Sequence, residues 1–268
     1  MGNAEHGTYE IIDAHTHVYP DKIAAKAAEG IGQYYDLTPH HKVASVDGLL
    51  AAGSAHGVTG FLVCSVATNP QQIPGINAFL SEQCALHPAF IGFGAMHPAA
   101  EDPAAVIGQI QSLGLRGVKL HPDIQQFDID SREAYRIYEA AQGTLPILMH
   151  MGDARFDYSH PRRLKKVLED FPRLEIIAAH LGGWSVWSEA RSLLHHDNVW
   201  FDTSSSFRFM SAQEARQQIL AFGAQRCFFG TDYPVWGYEQ ELELFFRLGL
   251  SHEENAGILA GNIKKFLA

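Results

Sequence analysis

Residues 11–17 of the chain read IIDAHTH, an apolar run that closes on two histidines two positions apart. Side chains two apart on a strand share a face, so His15 and His17 can both point at one metal ion. Four later apolar runs also end in a histidine or an aspartate, namely His121, His150, His180 and Asp232. Such residues at the ends of successive strands predict one site at one end of a barrel.

Short β-type runs alternate with helix-type segments along the whole chain. We predict strands at about 10–15, 60–65, 90–95, 116–120, 145–149, 174–179, 199–202 and 227–230. Alternating β and α units imply a parallel sheet, and eight of them imply a closed (β/α)8 TIM barrel. An open doubly wound sheet would need a glycine-rich phosphate loop after the first strand, where this chain has His-Thr-His-Val. We therefore predict one α/β domain over residues 1–268.

Local signals also predict where several helices begin. Ser45 and Ser131 are candidate N-caps, because a serine hydroxyl accepts a hydrogen bond from the first turn. Pro161 suits the first turn of a helix. The apolar spacing of residues 251–267 predicts a final helix that packs on the outside of the barrel.

Composition excludes some classes of function. The chain has 268 residues, 46% of them apolar, and a net charge of −10. This acidic balance argues against nucleic acid or anionic membranes as partners, and no apolar stretch approaches the ~20 residues of a membrane span. The start has no secretory signal pattern. The three cysteines lack CxxC spacing and read as reduced thiols, so we expect a cytoplasmic protein.

Neutral imidazoles and a carboxylate suit zinc or a related divalent metal at a catalytic site with one open position for water. A lone strand histidine is more often structural, but a buried pair such as His15 and His17 is costly without partners. Asp232, in Gly-Thr-Asp-Tyr-Pro, could instead be a turn residue. His150 could serve only as a hydrogen-bonding residue. Four such coincidences at four strand ends favour the metal site.

Other residues are candidates for substrate binding. Lys119 and His121 fall on one face of the fourth strand, where they could hold an anion or simply form an ion pair. Arg155 follows the fifth strand and could hold a carboxylate, or it is a surface arginine. Trp184 follows the sixth strand and could form an apolar rim for a ring-shaped substrate, or pack at an oligomer interface.

The motifs together resemble the amidohydrolase superfamily, most closely the amidohydrolase-related (amidohydrolase 2) branch of TIM-barrel metal-dependent hydrolases. The resemblance runs from residue 11 to the end of the chain. Its motifs are IDAHTH at 12–17, GVKLHP at 117–122, HMG at 150–152, AHLGG at 179–183 and FGTDYP at 229–234, and Asn262 also fits. In this order the set is highly specific.

The resemblance implies a distorted (β/α)8 barrel with divalent metal at the strand ends. His15, His17, His150 and Asp232 match the positions that hold one metal, and Asp232 also matches the residue that accepts a proton from the attacking water. His180 matches a residue that binds a second metal or polarises the substrate. A carboxylated Lys119 would bridge two metals. We expect one Zn²⁺, although Mn²⁺ and Fe²⁺ accept the same ligands.

These features predict a metal-dependent hydrolase that cleaves an amide, ester or lactone bond of a small, carboxylate-bearing molecule. The branch also contains non-oxidative decarboxylases, so a carboxy-lyase acting on an unsaturated or aromatic acid is the alternative. The chain is shorter than the typical decarboxylases of the branch, which favours hydrolysis. A non-catalytic metal-binding barrel is a third reading. The partner is expected to be a small molecule, and barrels of this kind often form homo-oligomers.

Overall fold

Eight strands alternate with helices in the computed structural model, which describes residues 9–268. The strands are β1 (Ile11–His17), β2 (Val58–Cys64), β3 (Phe90–Ala95), β4 (Gly117–Leu120), β5 (Ile147–Met149), β6 (Ile176–Ala178), β7 (Val199–Asp202) and β8 (Cys227–Phe228). They form one sheet in which spatial order follows chain order. This arrangement is a (β/α)8 barrel, which confirms the predicted fold class.

The helices lie between the strands and after the last one. They are α1 (Asp21–Tyr35), α2 (Val46–Ser54), α3 (Ile73–Leu86), α4 (Pro103–Ser112), α5 (Pro122–Gln125), α6 (Arg132–Ala141), α7 (Pro161–Asp170), α8 (Trp187–Leu193), α9 (Ala212–Phe222), α10 (Tyr238–Phe246), α11 (His252–Ala256) and α12 (Asn262–Phe266). A π-helical turn, Gly257–Gly261, joins the last two. The predicted final helix is therefore present, with a π turn inside it.

The predicted helix starts are confirmed. The Oγ of Ser45 accepts a hydrogen bond from the N–H of Gly48 (3.1 Å), and the Oγ of Ser131 accepts one from Ala134 (3.3 Å). Each bond satisfies an N–H that the first helical turn leaves without an intrahelical acceptor. Pro161 is the first residue of α7, where a missing N–H has no consequence for the helix.

Five strand boundaries differ from the prediction by two residues: the end of β1, the starts of β2, β5 and β6, and the end of β8. β1 continues to His17, because the N–H of His17 still donates to the carbonyl of Tyr233 (2.8 Å). β5 begins at Ile147 instead of Leu145. The N–H of Leu145 donates to Ala141 at the end of α6, and Pro146 has no N–H to give to a ladder.

The chain divides into two compact units. The terminal unit comprises residues 9–63 together with Thr203–Ala268, and the central unit comprises Cys64–Asp202. The single domain expected over residues 1–268 stays a prediction.

In the terminal unit, the end of β1 lies beside the segment that follows β8. The N–H of Ala14 donates to the carbonyl of Phe229 (2.8 Å), and Thr16 forms a parallel bridge with Tyr233. The side-chain amide of Asn262 donates to the carbonyls of Ala224 and Cys227, both at 2.8 Å, and so fixes the start of β8. These contacts place the histidines of β1 next to the loop that carries Asp232.

In the central unit, β4, β5 and β6 pair in parallel and in register. Lys119 stands beside Leu148, which in turn stands beside Ile177. All three strands are buried along their whole length, as expected for a parallel sheet covered on both faces. Because parallel strands end at the same edge, the residues just after them, His121, His150 and His180, share that edge.

None of the helices within residues 9–268 combines the length and the apolar character needed to cross a lipid bilayer.

Candidate metal centre

His15, His17 and Asp232 come together in the terminal unit, as the sequence predicts. The Nε2 atoms of the two histidines lie 3.7 Å and 3.3 Å from the same oxygen, Oδ1 of Asp232. His15 is fully buried and His17 nearly so, whereas the Asp232 side chain is 14% exposed and so remains within reach of water. Two imidazole nitrogens therefore face the same carboxylate oxygen.

The spacing of these atoms fits a metal ion. Ligands ~2.1 Å from a tetrahedral Zn²⁺ stand about 3.4 Å from one another. The two nitrogen–oxygen distances at Asp232, 3.3 Å and 3.7 Å, bracket that value. The donor set of two imidazoles and one carboxylate is also one that zinc, manganese and iron accept. The donor types of His15, His17 and Asp232, here called the terminal cluster, and their two nitrogen–oxygen distances are thus compatible with a divalent metal.

Two serines after β7 hold the ligands of the terminal cluster in place. The Oγ of Ser204 lies 3.0 Å from the Nδ1 of His15, the ring nitrogen opposite the one that faces Asp232. The Oγ of Ser205 donates to the Oδ2 of Asp232 (2.6 Å), and it accepts a bond from the indole N–H of Trp236 (2.8 Å). Oδ1 is thereby left facing the two histidines. Partners of this kind fix the orientation of a metal ligand.

Asp13 ties β1 to the residue before Asp232. Its fully buried carboxylate accepts bonds from the N–H of His15 (3.0 Å) and from the N–H and hydroxyl of Thr231 (3.0 and 2.5 Å). Burial raises the pKa of Asp13 to about 7, and the bonds from Thr231 and His15 oppose this rise. Asp13 therefore fixes the separation between the β1 histidines and the Asp232 loop.

Backbone strain accompanies the candidate catalytic residues. Asp232 has φ +61° and His180 has φ +59°, both in the left-handed region that non-glycine residues rarely adopt. Such a conformation costs ~1–3 kcal/mol and persists only where surrounding contacts impose it. For Asp232 these contacts include its own N–H, which donates to the carbonyl of His15 (2.9 Å).

In the central unit, His150 and His180 are in direct contact. The Nε2 of His180 lies 3.0 Å from the Nδ1 of His150, and both rings are buried. The segments that follow the two histidines pack closely at Gly152, where φ is +67° and an added Cβ would lie 2.7 Å from the backbone of Gly183. Only glycine fits at position 152, so the HMG motif has a packing reason.

His121 and Asp123 complete the central cluster. The ring of His121 stacks on that of His150, with centroids 3.9 Å apart and planes within 10°. The buried Oδ2 of Asp123 lies 3.5 Å from the Nε2 of His150 and accepts a hydrogen bond from Ser159 (2.5 Å). Burial raises the pKa of Asp123 to about 6, an effect that the bond from Ser159 opposes. His121, Asp123 and His150 offer donor atoms within 4.8 Å of one another.

The other predicted substrate-binding residues also lie in the central unit. Lys119 is buried on β4. Trp184 is partly exposed, and its backbone N–H donates to the carbonyl of Met151 (2.8 Å). Arg155 is half-exposed, but its Nε and Nη2 atoms both donate to the buried carboxylate of Asp153. A carboxylate ligand would have to share the guanidinium with Asp153.

Sequence reasoning did not single out Ser204, Ser205, Asp123 or Asp202 as functional residues. Asp202 ends β7, and its carboxylate accepts a bond from the N–H of His180 (3.2 Å). A signal existed for three of the four, because the polar run Asp-Thr-Ser-Ser directly follows the apolar residues of β7. Asp123 carried no such signal, since it follows the strand-end position of His121 by two residues.

Comparison with solved structures supports the fold. An uncharacterised TIM-barrel protein from Bordetella bronchiseptica matches with a TM-score of 0.78 and 21% identity, over 96% of this chain and 98% of that one. A dihydroxybenzoic acid decarboxylase from Polaromonas sp. JS666, solved with manganese, gives 0.75 and 18% over 97% of each chain. A putative 2-pyrone-4,6-dicarboxylic acid hydrolase from Pseudomonas putida gives 0.68 and 21%, over 96% and 97%.

No curated protein matches the sequence. The family model described as Amidohydrolase matches residues 12–268, which includes every residue of both clusters. Members of this family are metal-dependent enzymes that include hydrolases and decarboxylases. The chain therefore belongs to the amidohydrolase family, in its amidohydrolase 2 branch.

Proposed function

We propose that this protein is a divalent-metal-dependent hydrolase that cleaves an amide, ester or lactone bond of a small, carboxylate-bearing substrate. The observation that carries the proposal is the convergence of His15, His17 and Asp232, with Oδ1 of the carboxylate facing both imidazoles and Oδ2 held by Ser205. Family membership supports the metal dependence.

The proposed ligands are His15, His17, Asp232 and His150. Of these, His150 is carried over from the family resemblance and lies in the central unit. We propose one Zn²⁺, while the manganese in the Polaromonas decarboxylase makes Mn²⁺ the first alternative. When bound, such an ion acts as a Lewis acid and lowers the pKa of a coordinated water to about 7. His180 and a carboxylated Lys119 would serve as ligands if a second ion is bound.

Asp232 is proposed as the general base and, later, the general acid. Its partly exposed carboxylate takes a proton from the attacking water as the oxygen of that water bonds to the carbonyl carbon of the substrate. The bond from that carbon to the leaving group then breaks, and Asp232 gives its proton to the leaving group. His180 polarises the carbonyl and stabilises the developing negative charge on its oxygen. Lys119, His121, Arg155 and Trp184 are proposed to bind the rest of the substrate.

Decarboxylation of an unsaturated or aromatic acid is the second candidate function. The observation in its favour is the Polaromonas decarboxylase, which matches over 97% of both chains. That coverage removes the argument from chain length that favours hydrolysis. The two reactions use the same proposed ligands but differ in product, because only decarboxylation releases carbon dioxide.

A small molecule is the proposed partner, and the cytoplasm is the proposed location. The basis for the location is that Cys64, Cys84 and Cys227 form no disulfide within residues 9–268.

The test begins with metal content per chain, measured by elemental analysis of protein purified without chelator. About one zinc or manganese supports the proposal, and about two favours a bridging role for Lys119. Protein that contains no metal and takes none up on reconstitution would overturn it. The loaded enzyme is then assayed on ester, lactone and amide substrates with a carboxylate, and on aromatic acids with detection of carbon dioxide.

A further inference from the structure

The imidazole of His150 lies between two different partners in the central unit. Its Nδ1 is 3.0 Å from the Nε2 of His180, and its Nε2 is 3.5 Å from the Oδ2 of Asp123. His150 and Asp123 are both buried, so water does not screen the electrostatic interaction between them. The ring therefore has one nitrogen directed at a histidine and the other at a carboxylate.

This arrangement determines which nitrogen of His150 carries the hydrogen. A carboxylate oxygen only accepts hydrogen bonds, so the nitrogen that faces Asp123 must be the one that bears N–H. The Oδ2 of Asp123 is itself fixed by the hydroxyl of Ser159, which donates at 2.5 Å. The Nδ1 of His150 is then left with a lone pair, which accepts from the Nε2–H of His180. The Nε2–H of His180 thus donates to His150, while the Nε2–H of His150 faces Asp123 in a buried electrostatic contact of 3.5 Å that does not reach hydrogen-bond geometry.

We infer that Asp123 is a positioning residue that holds His150 in the Nε2–H tautomer, so that its Nδ1 carries a lone pair that accepts the N–H of His180 in the metal-free protein and would bind a divalent metal in its place. The inference rests on the proposed function, in which His150 is a metal ligand. A carboxylate behind a histidine fixes the tautomer and orientation of the ring and makes its free nitrogen more basic.

An alternative use of the same residues is a separate metal ion held by His121, Asp123 and His150, whose donor atoms lie within 4.8 Å of one another. Two observations argue against it. The Nδ1 of His121 accepts the N–H of Ile124 (3.3 Å), so its Nε2 carries the hydrogen and has no lone pair for a metal. The rings of His121 and His150 are also stacked in parallel, so their nitrogens do not point at a common centre.

The test compares zinc affinity, measured by competition with a chromogenic chelator, in the wild type and in Asp123→Asn. We expect Asp123→Asn to bind one ion per chain with affinity lowered about 10–100-fold. The matched control is Asp130→Asn, which removes an equal charge from the same loop region, where Asp130 pairs with Arg163. The control should keep wild-type affinity.

Two results of the titration would overturn the inference. The first is an affinity of Asp123→Asn within twofold of the wild type. The second is a second ion in the wild type that is lost in Asp123→Asn, because Asp123 would then be a ligand itself.

A second measurement needs neither metal nor the Asp123 variant. Long-range proton–nitrogen NMR of the metal-free wild type, assigned with His150→Asn, should show His150 with hydrogen on Nε2 and none on Nδ1. The opposite tautomer would overturn the role of Asp123 even if Asp123→Asn does not fold. A wild type that binds no metal but shows the Nε2–H tautomer would instead overturn the proposed function and leave the role of Asp123 standing.

Discussion

The terminal and central clusters both combine histidines with an aspartate. Within each cluster, however, different ring nitrogens face the carboxylate. In the terminal cluster, the Nε2 atoms of His15 and His17 face the carboxylate of Asp232, which is partly exposed. In the central cluster, the carboxylate of Asp123 is buried and faces the ring nitrogen of His150 opposite the one that meets His180. On the proposed roles, exposure and ring orientation, rather than residue type, separate the reacting carboxylate of Asp232 from the positioning carboxylate of Asp123.

The largest expected effect tests whether Asp232 is the reacting carboxylate. Asp232→Asn should keep the fold but lower kcat by about 10²–10⁴-fold, since an amide cannot accept the proton of water. Steady-state kinetics and a thermal melt measure the two effects. Asp47→Asn, an exposed aspartate in the first turn of α2, is the control. Near-normal turnover in Asp232→Asn would remove the proposed difference between Asp232 and Asp123.

A second prediction concerns the acid that lies behind the terminal cluster. Burial raises the pKa of Glu241 from 4.5 to about 7, Arg208 opposes the rise, and the charges of Asp13 and Asp232 add to it. A raised carboxyl pKa means that folding favours the protonated form. Protonated Glu241 therefore contributes to the unfolding free energy below pH 4.5. This contribution, at most ~3 kcal/mol, is lost as the pH rises to about 7.

Glu241→Gln cannot ionise, so its unfolding free energy should fall less between pH 4.5 and 8 than that of the wild type. Urea unfolding of chelator-treated protein at several pH values measures this difference. Parallel curves for the two proteins would show that Glu241 does not titrate differently on folding.

The third prediction concerns metal binding by the terminal cluster. Because an ion that binds only the folded state stabilises it, Zn²⁺ at 100 times its dissociation constant should raise the unfolding free energy by about 2.7 kcal/mol. His17→Ala should lose this stabilisation. The control is His56→Ala, which should keep it, because the ring of His56 contacts the backbone carbonyl of Ala52. If His17→Ala retains the full effect, the ion binds elsewhere.

The smallest expected effect comes from Ser205, which orients Asp232. Ser205→Ala removes a hydrogen bond to a carboxylate, worth ~1.5 kcal/mol, and should lower the unfolding free energy by about that amount and kcat about tenfold. The exposed Ser192→Ala on α8 is the control. A larger loss than that of Asp232→Asn would contradict the order of roles within the terminal cluster.

The sequence by itself determined the fold class and most of the candidate residues. The period of two in IIDAHTH placed His15 and His17 on one face, and their convergence on Asp232 follows from where β1 and β8 end. The positions of the eight strands were also readable, because each is a short apolar run between helix-type segments. Local patterns of this kind depend on neighbours close in the chain.

Only the tertiary structure decided which ring nitrogens and carboxylate oxygens of these residues face one another. The bond between Ser204 and His15 joins residues 189 positions apart, and the bond between Ser159 and Asp123 spans 36. The left-handed backbone at Asp232 and the buried ion-pair distance between Asp123 and His150 likewise depend on packing between distant segments. No local pattern encodes such contacts, because they form only when folding brings the strand ends and their loops together.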